Sequence, residues 1–261
     1  MIQAQGRCLK GHTEMRFRTI HIAETDSTNT WLKTHGDGGD VAVWADFQSA
    51  GRGCGDNRWE SERGKNLLFS VCCHPANVPA NRQFLLIEAM ALAVKKLLDC
   101  FSPGEPLTVK WPNDIYWRDR KLAGTLSECV LNGQHIRSCI IGTGINLNQT
   151  EFRSNAPNPV SVAQIRGTSV DVASTLERLL HGFDNELEAI GRGEWDAVHE
   201  AYCAALYGRD RFHTYADAGG RFEAIVDGVE PDGHLLLKDR LGRGRRYAFK
   251  EVSLVLGEVN T

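Results

Sequence analysis

The sequence lacks the features that would place it in a membrane or on nucleic acid. No apolar run approaches the ~20 residues needed to cross a bilayer, and the first 15 residues contain no apolar core of a secretory signal. The chain of 261 residues has 30 basic and 33 acidic side chains, a formal charge of −3, so no basic surplus is available to neutralise phosphates. Its 42% hydrophobic content is typical of a folded domain. We expect a soluble cytoplasmic protein that binds neither DNA nor membrane.

Several site signatures are also absent. The eight cysteines are scattered and no Cys-x-x-Cys pair occurs, which argues against structural zinc and a secreted disulfide framework and favours reduced thiols. No complete phosphate loop, dinucleotide fingerprint, Gly-x-Ser-x-Gly elbow or His-Glu-x-x-His motif is present. None of the nine histidines has the spacing of a triad or a metal site. The sequence therefore lacks the motifs of the common hydrolases, kinases and zinc enzymes.

Hydrophobic periodicity predicts a β-sheet flanked by helices. Strands are predicted at 17–22, 41–45, 67–73, 108–111, 115–117, 123–131 and 135–147. Long helices are predicted at 82–100, 172–190 and 195–206, and the polar cluster 24–30 is predicted to open a short helix. Asn132-Gly133 predicts a hairpin between the last two strands, because both residues tolerate positive φ.

From about Arg209 the pattern changes to short strands separated by Asp-Gly and glycine-rich turns. These strands are predicted at 222–226, 235–238, 247–249 and 252–256, which suits a small β-barrel. We therefore predict an α/β (α+β) architecture in three parts. They are a flexible leader (1–15), a domain with a mixed sheet flanked by helices (16–207) and a C-terminal β-barrel (208–261).

Four polar segments stand out between these elements. They are the glycine-rich loop 48–65 with Gly51-Arg-Gly53 and Trp59, then Lys110-Trp-Pro-Asn-Asp114, Arg120-Lys-Leu-Ala-Gly124 and Gly142-Thr-Gly-Ile-Asn146. Each segment alone is a weak signal. Their order and spacing together closely resemble the biotin–protein ligase family. The resemblance begins at Ser27-Thr-Asn29 and covers nearly the whole chain from residue 17.

The resemblance implies a class II synthetase-like catalytic domain followed by an SH3-like barrel. It implies an ATP-dependent, AMP-forming ligase that makes biotinyl-5′-AMP from biotin and Mg-ATP and transfers biotin to a lysine through an amide bond. The implied partner is the biotin carboxyl carrier protein domain of a biotin-dependent carboxylase, and a homodimer is compatible with this interpretation. About 25 residues precede Ser27, too few for a helix-turn-helix domain, so we expect a monofunctional enzyme without DNA-binding activity.

The polar residues around the predicted first helix suit the ureido ring of biotin. That ring presents one carbonyl acceptor and two N–H donors, and Ser27, Thr28, Asn29 and Gln48 carry short or forked polar groups able to match both. The Ser27–Asn29 segment is also a helix-cap sequence, a role compatible with ligand binding.

Cationic residues suit the anionic end of the ligands, where phosphates and a carboxylate must approach each other. By the resemblance, Lys121 contacts the biotin carboxylate or the adenylate linkage, with Arg52 alongside. Asp114 would orient or deprotonate the acceptor amine, or hold Mg²⁺, while Lys110 would offset Asp114 or contact phosphate. These four residues are the predicted catalytic set.

The remaining predicted ligand contacts come from the glycine-rich segments. Trp59 offers a flat face for adenine, and Asn146 would bind metal or nucleotide or else stabilise a turn. The other residues assigned to the site are Gly51, Gly53, Cys54, Gly124, Gly142 and Gly144. Cys54 departs from the family pattern, in which many members carry an arginine or glutamine after Gly-Arg-Gly.

Alternative functions remain open at this point. A lipoate or octanoate ligase shares the adenylate chemistry, but its typical Arg-Arg-x-Ser-Gly-Gly loop is replaced here by Gly51-Arg-Gly-Cys-Gly55. A biotin-binding protein without efficient transfer is the second alternative, if Cys54 impairs catalysis. The four arginines at 240, 243, 245 and 246 are interpreted as a solvated hairpin, with contact to an acidic partner or to nucleotide as the alternative.

Overall fold

The computed structural model describes residues 15–53, 55, 57–102, 104–153 and 158–256. The predicted leader, except residue 15, and Cys54 lie outside these ranges. The first sheet consists of β1 (Arg18–Thr25), β2 (Val41–Gln48), β3 (Leu67–Cys73), β4 (Thr108–Lys110), β5 (Asp114–Trp117), β6 (Arg120–Asn132) and β7 (His135–Ile145). The helices are α1 (Thr28–His35), α2 (Phe84–Asp99), α3 (Val162–Arg166), α4 (Val172–Gly191) and α5 (Trp195–Ala204), with a 3₁₀ turn at Ala80–Arg82.

The first sheet is mixed and has helices on both faces. Its strand order is β1-β2-β3-β7-β6-β5-β4, with β1 and β2 parallel and all other neighbours antiparallel. On one face α1 covers a small apolar cluster that includes Leu32 and Val43. On the other face α2 packs against α4 and α5 over the main core. This double cover explains why six of the seven residues of β3 are buried.

The predicted strands and helices of this domain are confirmed, with shifts of a few residues at their ends. The predicted hairpin also forms, and Gly133 supplies the positive φ of 61° at its turn. The helix α3 was missed, although the sequence carries its capping box. The Ser161 side chain accepts from the backbone of Gln164, and the Gln164 side chain accepts from the backbone of Ser161.

The C-terminal sheet is antiparallel and consists of β8 (His213–Asp217), β9 (Gly220–Val229), β10 (Leu235–Asp239), β11 (Gly244–Tyr247) and β12 (Ser253–Leu254). The strand order is β11-β10-β9-β8-β12. The prediction missed β8, and it placed a strand at 247–249 that the structure shows at Gly244–Tyr247. The turn at Gly242, with φ of 75°, pairs Lys238 with Gly244 and so fixes β11 earlier in the chain. Closure of this sheet into an SH3-like barrel stays a prediction.

The four arginines of the predicted basic hairpin each pair with a carboxylate of the C-terminal sheet or its turns. Arg240 pairs with Glu223, Arg243 and Arg245 with Asp239, and Arg246 with Glu230 and Asp232. These pairs agree with a solvated hairpin whose charges are already balanced. Among the described residues, no helix is long and apolar enough to span a membrane.

Candidate active site

A cavity of about 570 Å³ lies where β5, β6 and β7 meet the start of α1 and the loop after β2. The predicted residues that line it are Ser27, Thr28, Asn29, Gln48, Arg52, Gly53, Trp59, Lys110, Asp114, Lys121, Gly124, Gly142, Gly144 and Asn146. The predicted residue Gly51 does not line the cavity, but its carbonyl accepts a hydrogen bond from the backbone N–H of Trp59, which does. The chain therefore brings its four motif segments and the start of α1 together at one site.

Buried polar side chains form a hydrogen-bonded network at the inner end of the cavity. Gln48 Oε1 accepts from the backbone N–H of Thr28 at 2.8 Å and from its hydroxyl at 3.1 Å. Thr28 Oγ1 lies 2.6 Å from Ser70 Oγ, which donates to Asn29 Oδ1 at 2.5 Å. Ser27 is the N-cap of α1, yet its side chain makes no capping bond. The polar groups of this network are thus held in place by each other. The predicted cap position is confirmed, since the Ser27 carbonyl accepts the first helical hydrogen bond from Trp31, but the Ser27 hydroxyl does not bond the helix backbone.

Two glycines of β7 let these side chains approach the sheet. A Cβ on Gly142 would lie 2.1 Å from Asn29 Oδ1, and a Cβ on Gly144 would lie 2.4 Å from Cε2 of the Trp59 ring. Neither distance is compatible with a side chain at these positions. The Gly-Thr-Gly segment therefore provides a flat strand surface on which Asn29 and Trp59 rest.

A β-bulge brings the predicted catalytic lysine and carboxylate together. The pairing of β5 with β6 shifts between Ile115 and Tyr116, so that Lys121 stands opposite Tyr116 and Gly124 opposite Asp114. Without the extra residue Lys121 would point to the other face of the sheet, since side chains alternate along a strand. With it, Lys121 Nζ lies 2.7 Å from Asp114 Oδ1.

Gly124 leaves space for this ion pair. A Cβ at position 124 would lie 3.0 Å from Asp114 Oδ1 and 3.1 Å from Lys121 Nζ. The pair is partly shielded, with the Asp114 side chain 17% exposed and that of Lys121 33% exposed. Lys121 therefore reaches the cavity as a fixed cation held by a neighbouring carboxylate.

Trp59 has an unsatisfied donor. Its Nε1 is buried and has no hydrogen-bond partner among the described residues. The ring lies against Gly144 and 5.6 Å from Lys121 Nζ. A buried donor without a partner is costly, so a bound molecule with an acceptor here would remove that cost.

The glycine-rich loop 48–65 begins as a short hairpin. Gly53 donates to the carbonyl of Asn57 at 2.7 Å, and Trp59 donates to that of Gly51 at 3.0 Å. Arg52 is paired with Glu128 of β6 at 3.5 Å, although 55% of its side chain is exposed. The Arg52 cation therefore lines the cavity from its solvent-exposed side.

The other two predicted polar residues are held from different sides. Lys110 faces Asp114 in the β4–β5 register, and its Nζ lies 5.9 Å from the centre of the Tyr116 ring. Asn146 Nδ2 donates to the carbonyl of Val160 at 3.1 Å, so Asn146 has the turn-stabilising role while it also lines the cavity.

Sequence reasoning missed several lining residues. Asn113 donates through its side chain to the carbonyl of Thr125, and it sits inside a motif that was already singled out. Phe69 and Arg58 come from neighbouring strand and loop positions. Phe249 reaches the cavity from the turn after β11 and packs edge-on against Trp111, a contact with no local sequence signal.

The lining is cationic overall. Four basic side chains (Arg52, Arg58, Lys110 and Lys121) face two acidic ones (Glu60 and Asp114). Such an imbalance attracts anionic molecules. At the back of the site, burial and the nearby Asp114 charge raise the pKa of Tyr116, which keeps that phenol neutral.

Comparison with known proteins agrees with this geometry. Residues 22–146 match the Biotin/lipoate A/B protein ligase family. The biotin–[acetyl-CoA-carboxylase] ligase of Paracoccus denitrificans is 27% identical over 229 residues, covering 85% of this chain and 95% of that protein. The bifunctional ligase/repressor BirA of Bacillus spizizenii is 28% identical over 233 residues, covering 87% of this chain and 70% of that protein.

The fold is likewise shared with a solved ligase. The biotin protein ligase from Aquifex aeolicus, in complex with biotin and ATP, superimposes with a TM-score of 0.76 at 24% identity. The match covers 92% of this chain and 99% of that one. Residues 22–146 therefore form a domain that matches the Biotin/lipoate A/B protein ligase family, in a chain similar in sequence and fold to biotin–protein ligases.

Proposed function

We propose that this chain activates biotin with Mg-ATP to biotinyl-5′-AMP and then transfers the biotinyl group to a lysine of a biotin carboxyl carrier protein domain. The observation that carries the proposal is the Lys121–Asp114 ion pair, 2.7 Å long, beside the unsatisfied Trp59 donor in a cationic cavity. That arrangement offers a fixed cation for a reacting carboxylate and phosphate, and an aromatic wall for a nucleobase.

In the first step the biotin carboxylate attacks the α-phosphorus of ATP and pyrophosphate leaves. Both reactants are anionic, so their approach requires cations whose positions are set beforehand. Lys121 is held by Asp114, and Arg52 lines the cavity from its solvent-exposed side. Charge-assisted contacts of this kind contribute about 1.5–3 kcal/mol each.

The inner polar network would select biotin. The Gln48 carbonyl oxygen already accepts two bonds from Thr28, so the amide NH₂ is the end that can donate to a ureido carbonyl. Asn29 also lines the cavity, and because its Oδ1 accepts from Ser70 its amide NH₂ is a second group able to donate. A buried polar group without a partner costs about 1–3 kcal/mol, which disfavours acids that lack the ring.

In the second step the amine of the acceptor lysine attacks the carbonyl of the mixed anhydride and AMP leaves. Asp114 is placed to accept a hydrogen bond or the proton from that amine once the ligand engages Lys121. Asp114 and Asn146 also carry oxygen atoms of the type that Mg²⁺ prefers, and both line the cavity, so the site fits a magnesium ion that enters with ATP. Magnesium would neutralise phosphate charge.

The proposal extends to the organisation of the chain. We assign catalysis to residues 16–207 and a supporting role to the C-terminal domain, 208–261, whose Phe249 lines the cavity. The acceptor follows from the name of the Paracoccus denitrificans relative, which is a ligase for acetyl-CoA carboxylase. We further propose cytoplasmic localisation, no DNA-binding activity and a homodimer as the assembly to be tested.

The test is the intact mass of a carboxylase carrier domain after incubation with this protein, Mg-ATP and either biotin or lipoate. One biotinyl increment with biotin and none with lipoate is the expected result. Modification by lipoate alone would assign the chain to lipoate ligation instead. Free adenylate without transfer would indicate a mismatched acceptor or rapid release past Cys54, and absence of both products would contradict the proposed activity.

A variant pair tests the assigned role of Lys121. Lys121→Ala is expected to lower the adenylation rate by about 100- to 1,000-fold, because the fixed cation is lost where charge develops. Lys238→Ala removes an exposed lysine of β10 and should leave the rate unchanged. Circular dichroism of both variants checks that the fold is retained. An unchanged adenylation rate in Lys121→Ala would remove the basis for this assignment.

A further inference from the structure

Three cysteines stand side by side across adjacent strands, away from the ligand cavity. Cys139 of β7 is directly opposite Cys73 of β3 on one side and Cys129 of β6 on the other. Residues directly opposite in an antiparallel sheet share a face, so the three side chains point the same way. Cys73 and Cys139 are buried in the main core, and Cys129 is partly buried against it. None of the three lines the cavity.

The Cys129–Cys139 pair has the geometry that a disulfide needs. Directly opposed residues of antiparallel strands have Cα atoms about 4.5–5.5 Å apart, within the range of about 4.4–6.8 Å found for disulfides. The two Sγ atoms lie 2.7 Å apart and share a hydrogen bond. Both thiols are free. No backbone movement is therefore needed to join them.

Cys73 is engaged differently. Its Sγ donates to the backbone carbonyl of Cys139 at 3.6 Å, and burial raises the pKa of its thiol. The neighbouring Cys72 points to the opposite face and belongs to the cluster under α1. Among the described cysteines, the geometry thus singles out Cys129 and Cys139 as the pair able to combine.

The two sulfurs also differ in reactivity. The hydrogen bond with Cys139 lowers the pKa of Cys129, whereas the same bond and burial raise the pKa of Cys139. Cys129 adjoins the exposed end of the hairpin, where Val130 and Leu131 are each about half exposed. The thiol with the lower pKa therefore stands at the more accessible position, with a second thiol behind it.

We propose that Cys129 and Cys139 form a reversible thiol–disulfide site that reacts with low-molecular-weight disulfides such as glutathione disulfide. The Cys129 thiolate attacks one sulfur of that disulfide, a mixed disulfide forms on Cys129 and one glutathione thiolate leaves. The Cys139 thiol then attacks the Cys129 sulfur, loses its proton and releases the second glutathione. Two cysteine thiols are oxidised to one disulfide, and one glutathione disulfide is reduced to two thiols.

The sequence makes the product easy to map. Trypsin cleaves after Lys121, Arg137 and Arg153, which places the two cysteines in separate peptides, 122–137 and 138–153. After incubation with glutathione disulfide and alkylation of free thiols, non-reducing mass spectrometry should find these peptides joined, and reductant should separate them. The exposed Cys100 serves as an internal control, because its glutathionylation shows that the oxidant was active.

Two variants separate this site from simple surface oxidation. Cys139→Ser should abolish the link and leave the mixed disulfide on Cys129, while Cys73→Ser should retain the link. If Cys139→Ser does not fold, Cys129→Ser at the less buried position should also abolish the link and leave Cys139 unmodified. Modification of Cys100 with peptides 122–137 and 138–153 still separate in the unmutated protein would overturn the proposal. So would a link between Cys73 and Cys139.

Discussion

Replacing Gly144 with alanine should lower both the stability of the fold and the rate of adenylation. A Cβ at this position would lie 2.4 Å from the Trp59 ring, whereas ordinary contact begins at 3.4 Å, so the ring must move by about 1 Å. Overpacking of this kind typically costs about 1–3 kcal/mol of stability. A displacement of about 1 Å next to reacting groups can cost about 100-fold in rate. We therefore expect kcat/KM for adenylation to fall by about 100-fold, or about 2.7 kcal/mol.

The matched control is the same substitution at Gly182, inside α4. A Cβ there would have Ala93 as its nearest neighbour at 3.9 Å, an ordinary contact. Alanine favours a helix interior over glycine by about 0.5–1 kcal/mol, so Gly182→Ala should raise the free energy of unfolding and leave activity unchanged. Pyrophosphate release measures adenylation and urea denaturation measures stability. If Gly144→Ala adenylates biotin at the unmutated rate, the close packing of the Trp59 ring on β7 is not required for activity.

Three further predictions concern charge, motion and product release. Burial raises the pKa of the Glu88 carboxyl, which lies 2.7 Å from His199. The folded state therefore binds the carboxyl proton more tightly than the unfolded state does. As pH rises above 4.5, the free energy of unfolding of the unmutated protein should fall relative to that of Glu88→Gln. Urea denaturation of both proteins at a series of pH values above 4.5 measures this difference. An equal change in the free energy of unfolding of the two proteins would contradict the prediction. Amides in the loop 48–65 should exchange more slowly with biotin and ATP bound, because the loop must exclude water from the adenylate; equal exchange rates would oppose this role. Cys54→Arg should slow release of the adenylate without acceptor, and equal release rates would contradict it.

Strong local signals account for the parts of the fold that the sequence predicted. The apolar run of β3 and the Asn132-Gly133 turn each determine their structure within a few residues. The short strand β8 alternates weakly and has two half-buried ends, so it offers little periodicity to read. The helix α3 carried a readable capping box and could have been predicted.

The site was predictable as a set of residues but not as an arrangement. Motif order identified Lys121 and Asp114, yet their contact depends on a bulge whose register is set by pairing across the sheet. Ser70 joins the site from the interior of β3, and Phe249 joins it from the turn after β11, more than 100 residues from most of the cavity lining. Such long-range placement leaves no local pattern in the sequence.

The pairing of β3 with β7 links the formation of the ligand site to the folding of the whole sheet. β6 and β7 form a local hairpin, but β3 meets β7 through residues 66 or more positions apart, and that closure is entropically costly and slow. Asn29 rests on Gly142 only after this closure, since Ser70 of β3 holds it there. The ligand site is therefore complete only when β3 has paired with β7. A saturating ligand should therefore raise the free energy of unfolding of the whole sheet, rather than stabilise one of its hairpins alone.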